Sequence, residues 1–220
     1  MLSLLDIMRR APVIPVLVIH DLATAVPLAD ALVAGGLPVL EVTLRTPAGL
    51  AAIAAMRRAV PEAIVGVGTL SSPEQFKSVT DAGAQFGVSP GLTADLAEAS
   101  RRVPWPFLPG VMTPGELMRA RELGFRLCKL FPAQQAGGIG MLKALHSVFP
   151  DMGFCPTGGI NRENAGEFLS QPNVHCVGGS WVAPADLIKT GDWLGIRKLA
   201  QDAAALPRKG DQSPRSLSEG

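Results

Sequence analysis

Tyrosine is missing altogether from these 220 residues, and aromatic side chains of any kind make up only 5%. Cysteine occurs three times and histidine three times, neither with the paired spacing of a metal site or a disulfide framework. The thiols fit a reducing cytoplasm. A dominant charge is lacking too: 20 Lys and Arg stand against 19 Asp and Glu, a net of +1. Nucleic-acid binders present a strongly basic face, so that class is excluded as a general activity. No segment reaches the roughly 18 consecutive apolar residues of a membrane span, because Pro, Gly, Ser and Asn interrupt every candidate. At the N-terminus, Arg9 and Arg10 precede an apolar run at 13–19, and Ala23-Thr24-Ala25 mimics a cleavage site. That run is short, contains Pro15 and is rich in Val and Ile, so it reads as a buried strand rather than a signal peptide.

What is present is apolar and regular. With 47% hydrophobic and 18% charged residues the chain is too apolar for disorder. A domain of this size buries most of its chain without a disulfide or metal. Val/Ile/Leu-rich runs at 13–19, 39–45, 64–69, 85–89, 107–111, 126–131, 153–157 and 174–178 predict strands. Between and after them, helical spacing covers 25–34, 47–59, 73–82, 94–102, 114–123, 138–148, 162–169 and 193–205. Ser72-Pro73, Thr113-Pro114 and Asn161 are helix starts, while Gly35-Gly36, Gly83 and Gly124 are stops. Eight strand–helix units predict a single-domain α/β protein, a (β/α)8 TIM barrel over 1–206 with short loops. An open doubly wound sheet competes poorly, since His20-Asp21-Leu22-Ala23 after the first strand contains no glycine. The polar stretch 207–220 predicts a disordered tail.

The second predicted strand carries the first chemical signal. Its period of two places Leu40, Val42 and Leu44 on one face and Glu41, Thr43 and Arg45 on the other. The polar face must look into the lumen, where a charge is costly unless paired or used. An internal Glu41–Arg45 salt bridge is one account. The other is a functional site, because Arg45 falls at the carboxyl end where barrel active sites are built. Of six lysines only Lys129 sits inside an apolar strand, Leu127-Cys128-Lys129-Leu130-Phe131. Burial disfavours an ammonium relative to the free amine, and a free amine attacks carbonyls to form a Schiff base. A plain ion pair with Glu41 is the structural alternative, and a carboxylate so placed also shuttles protons. Glycine-rich turns after the last two strands, Thr157-Gly158-Gly159 and Gly178-Gly179-Ser180, lie where barrels commonly bind phosphate. Cys128, Cys155 and Cys176 read as buried structural thiols, with Cys128 facing away from Lys129. His20 ends the first strand and has some claim to face the site, whereas Met112, Met118 and Met141 follow core spacing.

Six motifs in order carry a resemblance. They are Glu41-Val42-Thr43-Leu44-Arg45-Thr46, Gly66-Val67-Gly68-Thr69, Ser89-Pro90-Gly91, Lys129-Leu130-Phe131-Pro132-Ala133, Cys155-Pro156-Thr157-Gly158-Gly159-Ile160 and Gly178-Gly179-Ser180-Trp181. From about residue 12 to about residue 205 the chain resembles the class I 2-keto-3-deoxy-6-phosphogluconate (KDPG) aldolases, many of which also cleave 4-hydroxy-2-oxoglutarate. The resemblance implies cleavage of KDPG to pyruvate and glyceraldehyde 3-phosphate, the last step of the Entner–Doudoroff pathway. It implies Lys129 as the Schiff-base lysine and Glu41 as the acid/base group working through a water. Arg45 and Thr69 match the holders of the pyruvate carboxylate, and Phe131 and Pro90 match pocket walls. Thr157 matches a contact to the hydroxylated carbons, while Gly158, Gly159, Gly179 and Ser180 match the phosphate site. The family is generally a homotrimer and uses no metal or organic cofactor. Gln134 stands where many relatives carry Glu, beyond the strand and away from the reacting centre.

Two other readings stay open on residues alone. A metal-dependent pyruvate aldolase needs several lumenal carboxylate or His ligands, and only Glu41 is an obvious one. A non-catalytic phosphosugar-binding barrel would keep Lys129 and Glu41 merely as an ion pair. The pattern sets no preference among KDPG, its galactonate epimer and 4-hydroxy-2-oxoglutarate.

Overall fold

Alternating short apolar strands and amphipathic helices fold here into an α/β architecture in which every strand pairing is parallel. The computed structural model describes residues 2–208. Nearly all of the tail expected over 207–220 therefore lies outside the described residues. The strands are β1 (Val13–Leu17), β2 (Val39–Thr43), β3 (Ile64–Gly68), β4 (Gly87–Val88), β5 (Phe107–Leu108), β6 (Gly110–Val111), β7 (Leu127–Leu130), β8 (Gly153–Pro156) and β9 (Val177–Gly179). Around them run α1 (Leu4–Met8), α2 (Ala25–Ala34), α3 (Gly49–Ala59), α4 (Gln75–Asp81), α5 (Ala94–Ser100), α6 (Pro114–Glu122), α7 (Gly138–Val148), α8 (Ala165–Leu169), α9 (Ala185–Thr190) and α10 (Trp193–Ala204). One sheet has the order β5-β4-β3-β2-β1-β9 and a second the order β6-β7-β8. Isolated parallel bridges, Phe154↔Val174 and Thr157↔Gly178, tie the β8 segment to the β9 segment.

The predicted fifth strand is split into β5 and β6 by Pro109, which has no N–H for a ladder bond. The freed Gly110 N–H donates instead to the Ser89 hydroxyl at 3.3 Å, and the Pro109 carbonyl accepts from the Lys129 amide at 2.8 Å. Strand alternation sorts the core into two clusters. Leu40, Val42, Cys128, Leu130 and Phe154 face the helices within the larger one. Ile14, Val39, Phe86, Val88, Leu108, Cys155 and Cys176 form a smaller inner one, which Ile7 and Met8 of α1 join.

Two short helices escaped the sequence reading. Helix α1 is only five residues long, yet Ser3 and Asp6 form a reciprocal capping box that starts it. Helix α9 is similarly short and buries no residue fully. Met112 and Met118 are corrections of a different kind: both are exposed rather than core, and only Met141 is half-buried. Three of the foreseen helices, α3, α4 and α8, start later than expected, α8 because Asn161 to Asn164 are spent on side-chain turns. No helix among the described residues is long and apolar enough to cross a membrane.

Leu40 is fully buried on the helix-facing side of β2. Leu40→Ala is expected to destabilise the protein by about 2–5 kcal/mol, the usual effect of such a cavity. Urea unfolding should show a lower midpoint at unchanged slope. A midpoint within error of the parent would mean that β2 is turned the other way.

Candidate active site

Lys129 and Glu41 are brought together from different sheets. Lys129 lies in β7, in register with Gly110 and Cys155, and Glu41 lies in β2, in register with Val16 and Gly66. Lys129 Nζ donates to Glu41 Oε1 at 3.2 Å, and each side chain is only 4% exposed. The ammonium also sits 5.1 Å from the centroid of the Phe131 ring, within cation–π range. The bridge once open to Glu41 and Arg45 does not form, because the carboxylate is engaged with Lys129 across the interior.

Space for that carboxylate comes from β3. A Cβ on Gly68 would sit 2.7 Å from Glu41 Cγ and collide with its Oε1. Thr69, the next residue, adopts φ = 65°, the sole left-handed non-glycine among the described residues. For a β-branched residue this is a strained conformation, costing about 1–3 kcal/mol, and such strain concentrates at functional sites. Strand β2 ends at Thr43, whose hydroxyl donates to the Leu17 carbonyl at 2.8 Å. Arg45 therefore lies two residues beyond the strand, exposed, with no hydrogen bond or ion pair to any described residue.

Because the strands are parallel, their carboxyl ends share one end of the fold, where α/β proteins build their sites. Arg45 follows β2, Thr69 follows β3, Pro90 follows β4, Phe131 follows β7, Thr157 follows β8 and Ser180 follows β9. Pro90 is exposed, and its backbone lies against Gly110, while Ser89 beside it donates to the Gly91 carbonyl at 2.6 Å. Thr157 is buried; its amide donates to Leu130 and its carbonyl accepts from Ala133, extending the β7–β8 pairing. Gly158 and Gly159 follow with φ of 97° and 76°, values that a side chain rarely tolerates. Gln134, placed by sequence away from the reacting centre, is seen to border this turn: its amide donates to Gly158 O at 3.1 Å. Its Cγ lies 2.5 Å from where a Gly159 Cβ would be. Gly179 is buried beneath the Trp181 ring and Ser180 is exposed.

Comparison with known proteins now decides the lineage. A family model described as "Aldolase: KDPG and KHG aldolase" matches residues 4–199. The chain belongs to the KDPG and KHG aldolase family. A 2-dehydro-3-deoxy-phosphogluconate aldolase of Pseudoalteromonas atlantica is 50% identical over 200 residues, covering 91% of this chain and 93% of its own. Among solved structures, a KDPG aldolase from Legionella pneumophila with pyruvate captured as a covalent carbinolamine intermediate superposes with a TM-score of 0.90. It is 47% identical, and the match covers 91% of this chain and 98% of that one. The KDPG aldolase of Zymomonas mobilis ZM4 with 3-phosphoglycerate gives 0.88 at 48% identity, over 93% and 96% of the two chains.

Outside the aldolase motifs, the sequence candidates sort simply. All three cysteines are free and buried. Burial pushes the Cys128 thiol up to about 12, and burial followed by the adjacent Cys155 thiol holds Cys176 well above the usual range. Burial, aided by Arg9, lowers His175 below the ordinary imidazole value. His20 is exposed and lines a cleft with Val18, Thr24, Ile188 and Lys189. Among the described residues, no cluster of three His, Cys, Asp or Glu is arranged to hold a metal ion. Sequence reading gave no separate role to Ser89 and passed over Asn164. Only their polarity beside a proline-glycine or glycine-rich turn marked them.

Gly68→Ala should force the Glu41 side chain away from Lys129 or distort β3. A lower urea midpoint is expected, of the order of 1–3 kcal/mol as for other overpacked interiors. Parental stability together with an unmoved Glu41 in a crystal structure would contradict the close approach described above.

Proposed function

We propose that this chain is a Schiff-base aldolase that cleaves KDPG to pyruvate and glyceraldehyde 3-phosphate, the closing step of the Entner–Doudoroff pathway. Cleavage of 4-hydroxy-2-oxoglutarate to pyruvate and glyoxylate is the second activity, which the family description names alongside the first. The observation that carries this reading is the buried contact of Lys129 Nζ with Glu41 Oε1. An amine and a carboxylate held within one hydrogen bond, inside an apolar shell, are what imine formation with local proton transfer requires.

The roles we assign are these. Lys129 passes a proton to Glu41 and attacks the C2 carbonyl; Glu41 returns that proton to the departing hydroxyl, and loss of water leaves a protonated imine that accepts electrons. Glu41, directly or through a water, takes the proton of the C4 hydroxyl, and the C3–C4 bond breaks. The electron pair moves into an enamine, which is protonated at C3 and hydrolysed to release pyruvate and the free lysine. Arg45, with its fork of donors uncommitted, pairs bidentately with the substrate carboxylate, alongside Thr69. Phe131 and Pro90 wall the reacting carbons, and Thr157 meets the hydroxylated ones. Gly158, Gly159, Gly179 and Ser180 receive the phosphate through closely approaching backbone. No step in this sequence calls for a metal or an organic cofactor.

The same proposal includes the architecture. We take residues 1–206 as one catalytic domain in which β5 and β6 act as one strand and the β8–β9 bridges close a (β/α)8 barrel. The single-residue gap at Pro109 and the Lys129–Glu41 contact between the two sheets support that closure. A homotrimer in the cytoplasm is the assembly and location we assign, the latter in keeping with three free thiols.

Borohydride added with pyruvate should reduce one imine irreversibly, and peptide mapping should find the adduct on Lys129. An adduct on another lysine, or none, would remove the assignment. Lys129→Arg should abolish turnover, because a guanidinium stays protonated and forms no imine.

Ser180→Asp should place a negative charge at the phosphate position. Repulsion at about 4 Å is worth roughly 1–4 kcal/mol, according to how wet the site is, so kcat/KM for KDPG should fall at least several-fold. Cleavage of unphosphorylated 4-hydroxy-2-oxoglutarate should change far less. Equal losses on both substrates would mean general damage, and no loss on either would move the phosphate elsewhere.

A further inference from the structure

The Gly158–Gly159 turn is gripped from two sides. On one side the Gln134 amide donates to Gly158 O at 3.1 Å, continuing the pairing of the segment after β7 with the segment after β8. On the other, Asn164 Nδ2 donates to Gly159 O at 2.9 Å. The Asn164 side chain is doubly committed, since its Oδ1 accepts from the Asn161 amide, also at 2.9 Å. These partners fix its orientation: a backbone N–H can only donate and a carbonyl only accept, so the amide cannot be flipped. Asn161 returns the bond, its Oδ1 accepting from the amides of Glu163 at 3.1 Å and Asn164 at 3.0 Å. Two asparagine side chains thus brace the five residues between the turn and α8.

A brace is needed there for a physical reason. Consecutive residues at φ of 97° and 76° belong to glycines, which have the widest choice of backbone conformations to lose. Left alone, such a pair samples many orientations of its peptide groups, and an anion that binds it must order them first. Each hydrogen bond to a turn carbonyl removes part of that freedom before ligand arrives, which raises affinity without adding a contact to the ligand. The carbonyl held by Asn164 belongs to the peptide of Gly159, so the bond sets the orientation of the peptide plane leaving the turn.

We propose that Asn164 is a positioning residue for phosphorylated substrate, locking the Gly158–Gly159 turn in the orientation that receives the phosphoryl group. This rests on the aldolase reading above and on its placement of the phosphate. Asn164 touches neither the substrate nor Lys129 in this role. It acts through the Gly159 carbonyl alone.

The test compares KDPG with unphosphorylated 4-hydroxy-2-oxoglutarate in the parent, Asn164→Ala and Asn164→Asp, with pyruvate trapping on Lys129 measured in each. For Asn164→Ala, KM for KDPG should rise about 3- to 10-fold, the size of one lost hydrogen bond, with kcat little changed. KM for 4-hydroxy-2-oxoglutarate and the trapping of pyruvate should shift less than that. Asn164→Asp separates positioning from mere capping. It keeps an acceptor for the Asn161 amide but loses the donor to Gly159 O, so it should raise KM for KDPG at least as much as alanine does. Rescue by aspartate, an equal change on both substrates, or no change on either would overturn the proposal. If the alanine variant fails to fold, Asn164→Leu, which also lacks the donor and brings no charge near the phosphate, decides the question. A parent enzyme that traps no pyruvate and cleaves neither substrate would instead bring down the aldolase reading itself. A parent that cleaves only the unphosphorylated substrate would remove the phosphate site and this proposal with it.

Discussion

A lysine and a glutamate buried together in an apolar interior impose conditions on everything around them. Removing two ions from water costs several kcal/mol each, and only close, well-directed contact offsets it. Lys129 and Glu41 meet that condition from strands that belong to different sheets, so both sheets must curve until their inner faces meet. The inner residues of neighbouring strands are correspondingly small: Gly66 leaves room for the Phe86 ring and Gly68 for the glutamate itself. Around and below the pair the interior is mostly apolar, with Ile14, Val39, Leu108 and two thiols, joined by Ile7 and Met8 of α1, while the His175 ring lies against Gly153. The polarity of the inner face thus rises toward the carboxyl ends of the strands, where the loops are.

Much of this pattern was legible from alternation alone. Glu41 flanked by Leu40 and Val42, and Lys129 flanked by Cys128 and Leu130, stood out because a polar residue between two outward apolar ones has only the interior to face. The strand's extent was not legible, since Leu44 continues the same alternation beyond the true end at Thr43. The contacts around that end are long-range: Thr43 bonds across to Leu17, 26 residues away in sequence, and the Leu44 amide still donates to Gly68 O at 3.0 Å. Periodicity misled at Met118, because helical spacing alone does not say whether a neighbouring element covers the face, and at Met112, which lies between β6 and α6 and in neither. Helices α1 and α9 were missed for want of length: one turn and a half of chain carries almost no periodic signal.

The site itself divides along the same line. Its charged side chains were readable by type, whereas its backbone was readable only as glycine-rich spacing. The left-handed Thr69 could not be inferred, since threonine is a poor candidate for that conformation by any local rule. Its strain is sustained by β3 pairing on both sides and by the adjoining Leu70 amide bonding to Val88 O at 3.1 Å. Precision at this end of the fold is therefore supplied by long-range pairing, and the loops inherit it.

Pro109 joins the two halves of this account. It ends β5, yet its carbonyl takes the amide of Lys129, and the N–H it displaces at Gly110 is taken up by Ser89. The break in the strand and the seating of the buried Lys129 amine are therefore one structural event. Over evolutionary time, a residue gained or lost between 107 and 111 would shift the lysine along its own strand and carry it out of reach of the glutamate. Additions within the segment that holds α9 would leave the pair where it is. Diversity among descendants of this chain should accumulate in the second region and be filtered from the first.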